Sequence, residues 1–542
     1  MSSLAGVMTS RHFFIFFWII AVAVPLAYAG YTQHVWEDFF ITFKYSRNLV
    51  EGLGLVYNEG ERVHGFTSVI NTLLPALFYW LSGAQSWEPA LWGYRVISAL
   101  FFATAGWVVF RHLWHEAETP RAALWLFAVL YLFSPKIVIF TANGMEAGFL
   151  VFFTITAALL LYDSAERHWK WLGVLWAGLM YTRPDGFVYA AGMSAAALIL
   201  ATDRRALFRH LFHAALLGIA LYLPWFVFVW WYYGTPVPHT IIAKSVYGLG
   251  RELALGQWLL SYLYNMGQVL AGPFQPIYFG YGGWAPWIVV FSYLAGAFCF
   301  IYWLLPVGDR LGRYLSLQYV SGTAYLAFLG TRGTVFDWYF PPLAVIGTVV
   351  LARGVPIVWR RYLAKGWLRH GGAVAGAGLA VALVVVFASV TWQMKVQQQV
   401  VENGQRAVLG RWLAEHSGPG DTLLLEPLGY IGYFSGLRTF DWPGLVSPRT
   451  VAVCRKYGGS DWRLLAREIG PTWLVVRPFD LARLNADPWF KRHYELVKVF
   501  DVVPEIFRHK GVPGIGYLMF DARFLVFRRQ ARPLAEAEAA GS

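Results

Sequence analysis

Eleven apolar runs take up just over half of the first 392 residues, most of them joined by short links and two by long ones, 31–90 and 234–282. They lie at 12–30, 91–110, 121–140, 147–162, 170–182, 186–202, 212–233, 283–305, 314–330, 338–358 and 372–392. Crossing the roughly 30 Å hydrocarbon core takes about 20 apolar residues as helix, and no unpaired backbone polar group is tolerated there. The pattern predicts a polytopic helical membrane protein with about eleven spans. Composition agrees: 14% of the 542 residues are charged and mean hydropathy is +0.47, against roughly 25% charged in a soluble domain. The first run lacks a convincing small-residue cleavage site and reads as a retained span.

The net charge of +13 would suit a nucleic-acid ligand if it gathered on one soluble surface. Instead the basic residues fall in "RHLWHEAETPR" (111–121), "ATDRRALFRH" (201–210) and "WRRYLAKGWLRH" (359–370), all links between apolar runs. That distribution is the positive-inside bias of a membrane chain, so no nucleic-acid partner is expected. "TSVINTLLPALFYWLSG" (67–83) is apolar but carries Asn71 and Pro75. Leaving it out as an interfacial helix puts every basic link on the inner side, with the N terminus cytoplasmic and the C-terminal region outside. Two cysteines, Cys299 and Cys454, cannot form a disulfide framework.

This threading gathers five segments on the outer face: the loop 31–90, "TANGME" (141–146), "YTRPDG" (181–186), "YYGTPVPHTIIAKS" (232–245) and "TRGTVFDWY" (331–339). All five carry charges at or near membrane depth, where an ionisable residue points to function. In "QHVWEDFFITFKYSRNL" (33–49), Glu37 and Asp38 sit among Trp36, Phe39 and Phe40, with Lys44 and Arg47 close behind. A partly desolvated carboxylate suits a general base and a nearby cation suits a phosphate. Acids also favour the first turn of a helix, and "EDFFITFKYSRNLVEG" reads as a helix ending at Gly52. That alone accounts for Glu37.

From about residue 395 the composition turns soluble. "QQQVVENGQRAVLGRWLAEH" reads as an amphipathic helix, "DTLLLEP", "LRTFDWP" and "PTWLVVRP" as short strands, and "DWRLLAREIG" as helix. This is a small α/β domain over 395–531 after a membrane domain over 1–394, with a disordered tail at 532–542. Trp442, Trp462 and Trp473 suit that domain's own core better than a sugar platform. No internal repeat of fixed period appears, which disfavours an inverted-repeat transporter of lipid-linked sugars.

The stretch "EDFFITFKYSRNLVEGLGLVYNEGERVHGFTS" resembles the first outer loop of GT-C glycosyltransferases, and most closely that of AftB-type membrane arabinofuranosyltransferases. "GMEA", "TRPDG", "YYGTPVPHTIIAK" and "FSGLRTFDWPGLVSP" follow in the family's order. The resemblance, spanning residues 37 to about 448, implies a membrane all-α GT-C fold. It also implies a polyprenyl-phosphate sugar donor, most naturally decaprenyl-phosphoryl arabinofuranose, and inverting single displacement onto a glycan or glycoprotein hydroxyl outside a bacterial inner membrane. It implies Asp38 as the base, with Glu37 beside it, and Glu146 as a second acid.

Lys244 is the first choice for the donor phosphate, with Arg183 and Arg332 behind it. A snorkelling lysine and an Arg183–Asp185 ion pair closing a helical hairpin are the plainer readings. Lys44, Arg47, His64, Asn143, Asp185, His239, Asp337 and Tyr339 are expected to line the substrate site. Glu37, His64 and His239 depart from the family pattern, which has Asp, an acid and Asn there. "FDWYF" follows that pattern only loosely. These departures bear on sugar and acceptor identity. Acids at 37, 38, 146, 185 and 337 could gather around a divalent ion, but no His or Cys pair has ligand spacing. The resembling family's lipid-phosphate branch does not in general need a metal, so none is expected and no cofactor beyond the lipid-linked co-substrate. A hexosyl transferase on a protein or lipopolysaccharide acceptor and a non-catalytic scaffold are the other readings.

Overall fold

The computed structural model describes residues 10–116, 119–247, 254–363 and 368–530. The expected disordered tail lies outside the described residues.

The first apolar run is α1 (Ser10–Thr32), which packs along α4 (Trp87–His115). Between them the long loop carries α2 (Glu37–Val50) and α3 (Ile70–Leu81). At 12 residues, α3 is about 18 Å long, too short to span. The next run is broken into α5 (Arg121–Leu132) and α6 (Pro135–Ala142), bent by 47°. Pro135 supplies no N–H to continue the ladder and opens the second piece.

Then come α7 (Ala147–Thr182), α8 (Gly186–Leu200), α9 (Arg204–Tyr233), α10 (His239–Tyr247), α11 (Leu255–Ala271), α12 (Pro286–Ile301), α13 (Arg310–Arg332), α14 (Pro341–Val358) and α15 (Leu368–Val396). A straight α7 of 36 residues would be about 54 Å long. Yet Glu146 and Arg183, at its two ends, lie 3.1 Å apart, and the Phe153 ring lies against Gly178. α7 therefore folds back on itself as a helical hairpin. Its two halves correspond to the runs 147–162 and 170–182, and the polar stretch 163–168 marks the reversal.

The protein is a multi-pass membrane protein. Among the described residues, six helical segments are long and apolar enough to cross a bilayer, or seven with the bent α5–α6 pair. By that criterion the expected eleven is not reached. Residues 255–271, placed in no span by the sequence, form α11. It packs on α13, where the Tyr262 hydroxyl donates to the Ala324 carbonyl at 3.4 Å and the Tyr319 hydroxyl to the Leu270 carbonyl at 2.8 Å.

The two ends of the bundle differ. At one, buried Arg353 bonds Asp309, Glu116 and Thr119, each at 2.6 Å, tying a basic link to the ends of α13 and α14. At the other end the five polar segments converge. Trp36 N–H donates to the Asn143 carbonyl at 2.8 Å, Val69 N–H to the Tyr181 carbonyl at 3.1 Å, and His239 N–H to the His64 carbonyl at 2.7 Å.

Helix α15 continues through a ten-residue π-helix, Gln397–Arg406, into α16 (Ala407–His416). A five-stranded sheet follows, in the order β2-β1-β3-β5-β4. β1 (Thr422–Leu425) pairs in parallel with β2 (Arg438–Asp441) and β3 (Trp473–Val476). β4 (Tyr494–Asp501) and β5 (Arg523–Arg529) complete it antiparallel. The crossovers include α17 (Leu428–Ser435), α18 (Pro448–Tyr457) and α19 (Trp462–Ile469). Trp473 is fully buried in this region's core, and Trp442 stacks on Trp462 at 5.8 Å.

Candidate active site

The α2 helix starts at the mouth of the bundle, with Trp36 as its N-cap residue and Glu37 and Asp38 in its first turn. The positive end of the helix dipole favours both acids there, so local helix chemistry and a functional carboxylate coexist. Their surroundings separate them. The Glu37 carboxylate accepts from Gly429 N–H at 3.1 Å and pairs with Arg406 at 2.9 Å. It anchors α2 to the C-terminal region, and burial pushes its carboxyl up to about 8 against the pull of Arg406. Each carboxylate oxygen of Glu37 thus has a partner in the C-terminal region, which gives it a structural part beside the catalytic one expected of it.

Asp38 is half-buried. Burial raises its carboxyl to about 6, and the Lys244 ammonium is the strongest charge opposing that rise. Glu146 pushes the same way as burial, Arg406 opposes it, and Glu426 adds to it. A carboxyl near 6 is ionised at neutral pH yet more basic than an exposed aspartate, the compromise a general base needs.

Around it stands a connected polar cluster. Arg183 spans Glu146 at 3.1 Å and Asp185 at 2.9 Å. The Tyr325 hydroxyl donates to the other oxygen of Asp185 at 2.8 Å, and the Asn71 amide reaches Glu146 at 3.5 Å. The Tyr339 ring covers the Arg183 guanidinium at 4.4 Å, and its hydroxyl lies 3.5 Å from Lys244 Nζ. Lys244 is exposed, sits 5.6 Å from the Phe336 ring, and forms no ion pair among the described residues. Two cations thus stand in opposite states. Arg183 is paired twice, as the hairpin reading expects, which leaves less of its charge for a phosphate. Lys244 keeps its charge free.

Other expected site residues are taken up structurally. Lys44 is buried, donates to the Gly432 and Leu437 carbonyls at 2.9 and 3.4 Å, and lies 4.2 Å over the Tyr57 ring. A lysine so enclosed, its ammonium pushed down to about 7 by burial, faces no substrate. Arg47 pairs with Glu51 at 3.7 Å and lies over Tyr433 at 5.0 Å. His64 is stacked face-on against Tyr233 at 4.8 Å, its imidazolium suppressed by burial to about 4. His239 opens α10, and burial lowers it too.

Asn143 accepts from Met145 N–H at 3.2 Å and lends its carbonyl to Trp36, so it shapes the turn before Glu146. Arg332 is exposed at the end of α13, over Phe328 at 5.8 Å, and pairs with no member of the cluster among the described residues. Asp337 pairs with Lys136 and accepts from Tyr278 N–H at 3.0 Å. Lys136, Tyr325 and Arg406 were missed. Lys136 lies inside an apolar run, the one signal that marks a buried lysine as purposeful; Tyr325 and Arg406 gave none. Among the described residues no three His, Cys, Asp or Glu side chains converge as metal ligands. Glu37, Asp337 and the Glu146–Asp185 pair each face a different cation.

Two solved structures share this architecture across almost the whole chain. ArnT from Cupriavidus metallidurans bound to undecaprenyl phosphate matches with a TM-score of 0.54 at 13% identity, covering 96% of this chain and 99% of that one. The Archaeoglobus fulgidus oligosaccharyltransferase matches with a TM-score of 0.54 at 13% identity, covering 90% and 72%. The chain has the GT-C glycosyltransferase fold. In sequence this GT-C chain is arabinofuranosyltransferase-like. It is 26% identical over 253 residues to the terminal beta-(1->2)-arabinofuranosyltransferase of Mycobacterium tuberculosis, covering 43% of this chain and 38% of that protein. It is 28% identical over 254 residues to the Corynebacterium glutamicum protein of the same name, covering 42% and 36%. The chain thus spans well under half the length of the curated relatives it matches. Residues 392–526 match a domain of unknown function, DUF8728.

Proposed function

We propose that this GT-C chain is an inverting glycosyltransferase that moves D-arabinofuranose from a polyprenyl phosphate to a hydroxyl of a cell-envelope glycan. The acceptor oxygen attacks the anomeric carbon as its proton passes to Asp38, and the bond from that carbon to the phosphate oxygen breaks. The departing polyprenyl phosphate carries the electron pair and meets Lys244. Glu146, fixed by Arg183, borders the same space and orients the sugar or acceptor. The observation that carries this reading is the pairing of opposites at the mouth. A half-buried carboxylate raised to about 6 faces an ammonium that no carboxylate pairs with among the described residues. Binding of undecaprenyl phosphate by ArnT supports a lipid-phosphate donor, and the names of both sequence relatives support the sugar.

The reaction needs no divalent ion on this reading. The membrane unit is 1–394 and the α/β unit 395–531. The enzyme sits in a bacterial plasma membrane, N terminus cytoplasmic, with the site and α/β unit on the outer side. Purified protein given synthetic polyprenyl-phosphoryl arabinofuranose in detergent with chelator should transfer the sugar. Asp38→Asn should transfer it about a hundredfold or more slowly. Transfer from mannosyl or other hexosyl lipids alone would replace the sugar, and equal rates for the variant would remove Asp38 from the chemistry.

A further inference from the structure

The region matching a domain of unknown function reaches back to several parts of the first outer loop, Lys44, Tyr57 and Asn58 among them, and one of those places is the stretch just before Asp38. Val35 N–H donates to Gln398 Oε1 at 2.9 Å, and the Val35 carbonyl accepts from the Tyr430 hydroxyl at 3.1 Å. One residue on, Trp36 is held from the membrane side by the Asn143 carbonyl. Glu37 is then gripped by Gly429 N–H and Arg406. Gly429 sits so close that a Cβ there would meet the Glu37 carbonyl oxygen at 2.2 Å.

The π-helix explains how one element delivers this grip. Its wide turn lets side chains five apart bond, Gln397 to Glu402 and Gln398 to Asn403, each at 3.0 Å. Such insertions recur at functional sites. Arg406 is buried and also bonds Glu402 at 2.9 Å and Asp521. Asp521 in turn pairs with Arg477. An unpaired buried guanidinium is costly, so this network fixes Arg406 from behind and leaves one direction open, toward Glu37. Fixing both peptide groups of Val35 and the carboxylate of Glu37 leaves α2 little freedom to rotate about its own axis, and that rotation decides where Asp38 points.

We infer that residues 397–430 form a clamp that sets the orientation of the Asp38 carboxylate, with Arg406 and Tyr430 as positioning residues. The inference rests on the reading of Asp38 as the base. It gives the region of unknown function a part in catalysis that does not involve holding the acceptor. The charges facing Asp38 are Lys244, Glu146, Arg406 and Glu426. Of these, Lys244 and Arg406 favour its ionised form, so loss of Arg406 moves its titration to higher pH.

The test compares wild type with Arg406→Gln, Gly429→Ala and Tyr430→Phe in the full chain. Transfer is measured over pH 5–8, and amide hydrogen exchange is followed across 33–40. The expected result is a kcat at least about tenfold lower with KM for donor and acceptor within about twofold, because geometry at the reacting atoms is lost while binding is kept. For Arg406→Gln the acid limb of kcat/KM should also move upward. Exchange of the 35–39 amides should quicken in all three. Raised acceptor KM at unchanged kcat would overturn the clamp and make the region an acceptor receptor. Unchanged exchange in Gly429→Ala and Tyr430→Phe would overturn it too, whether or not Arg406→Gln folds. A wild type without transferase activity would sink the proposed function alone, since the exchange measurement still decides whether the clamp exists.

Discussion

Replacing Asp337 by Asn should destabilise the protein more than replacing its partner Lys136 by Met, although both break the same ion pair. The Lys136 side chain is 2% exposed against 22% for Asp337. With the Asp337 charge gone, the ammonium keeps a neutral amide oxygen and the Phe340 ring, 5.2 Å away, but has no ion-pair partner among the described residues. Stranding a buried charge in this way costs about 3–5 kcal/mol. With Lys136 gone, the carboxylate keeps the Tyr278 N–H at 3.0 Å and some water, so the loss falls to about 1–3 kcal/mol, the usual cost of an under-satisfied polar group. Removing both charges leaves neither stranded, and the double variant should match or exceed Lys136→Met. Thermal-unfolding midpoints in one detergent at one scan rate rank the three, which suffices where unfolding is irreversible. The ordering Asp337→Asn at or above Lys136→Met would refute the argument. Function should follow stability here, because the pair holds the 337–339 turn that brings Tyr339 to Lys244 and Arg183.

On the proposed reading, Lys244→Met should lower kcat/KM for the lipid donor by about 10- to 100-fold, as one charge-assisted bond of about 1.5–3 kcal/mol is lost. A drop under threefold would return Lys244 to the role of a snorkelling lysine. Gly144→Ala should both destabilise and slow the protein. Gly144 has φ +96°, and a Cβ there would come within 2.8 Å of the Phe39 ring, so the strain of about 1–3 kcal/mol falls on the turn that aligns α2 with Glu146. Wild-type activity and melting would show that this turn is free to relax.

Much of this was legible because lipid imposes a severe filter on sequence. Apolar runs gave the helices, and the basic links mark the end at which Arg353 meets Glu116 and Asp309. The five polar segments do meet at one end, as their charges suggested. The α7 hairpin was visible from the polar stretch 163–168, and strands β1, β2 and β3 from short apolar runs between turn residues. What escaped was partner choice. Glu37 and Asp38 are neighbours with the same chemistry, yet one meets Arg406, 369 residues on, while the other faces the mouth. No local pattern encodes such a pairing. Lys44 looked like a substrate ligand because charge near membrane depth suggests function, but two carbonyls of the C-terminal region satisfy it. β4 and β5 were missed since their antiparallel pairing is long-range and β4 lies exposed. α11 was missed because Gln257, Asn265 and Gln268 interrupt its apolar face.

The charge arrangement around Asp38 makes one further claim about pH. Burial lifts the Asp38 carboxyl to about 6 and Lys244 restrains it. A donor phosphate at Lys244 would take up that ammonium and bring its own negative charge beside Asp38. Both effects disfavour the carboxylate, so on the proposed reading the base becomes stronger when the donor is in place. The sign is fixed by charge alone: below its pKa Asp38 is protonated and cannot accept a proton, so rate falls about tenfold per pH unit there. The limb of kcat/KM reports the free enzyme and that of kcat the loaded one. The first should break near pH 6 and the second at higher pH. Full rates for both at pH 4.5 would mean that Asp38 does not titrate in the reaction. A kcat limb below that of kcat/KM would mean that the phosphate binds away from Lys244, and the assignment of both residues to one displacement would fail together.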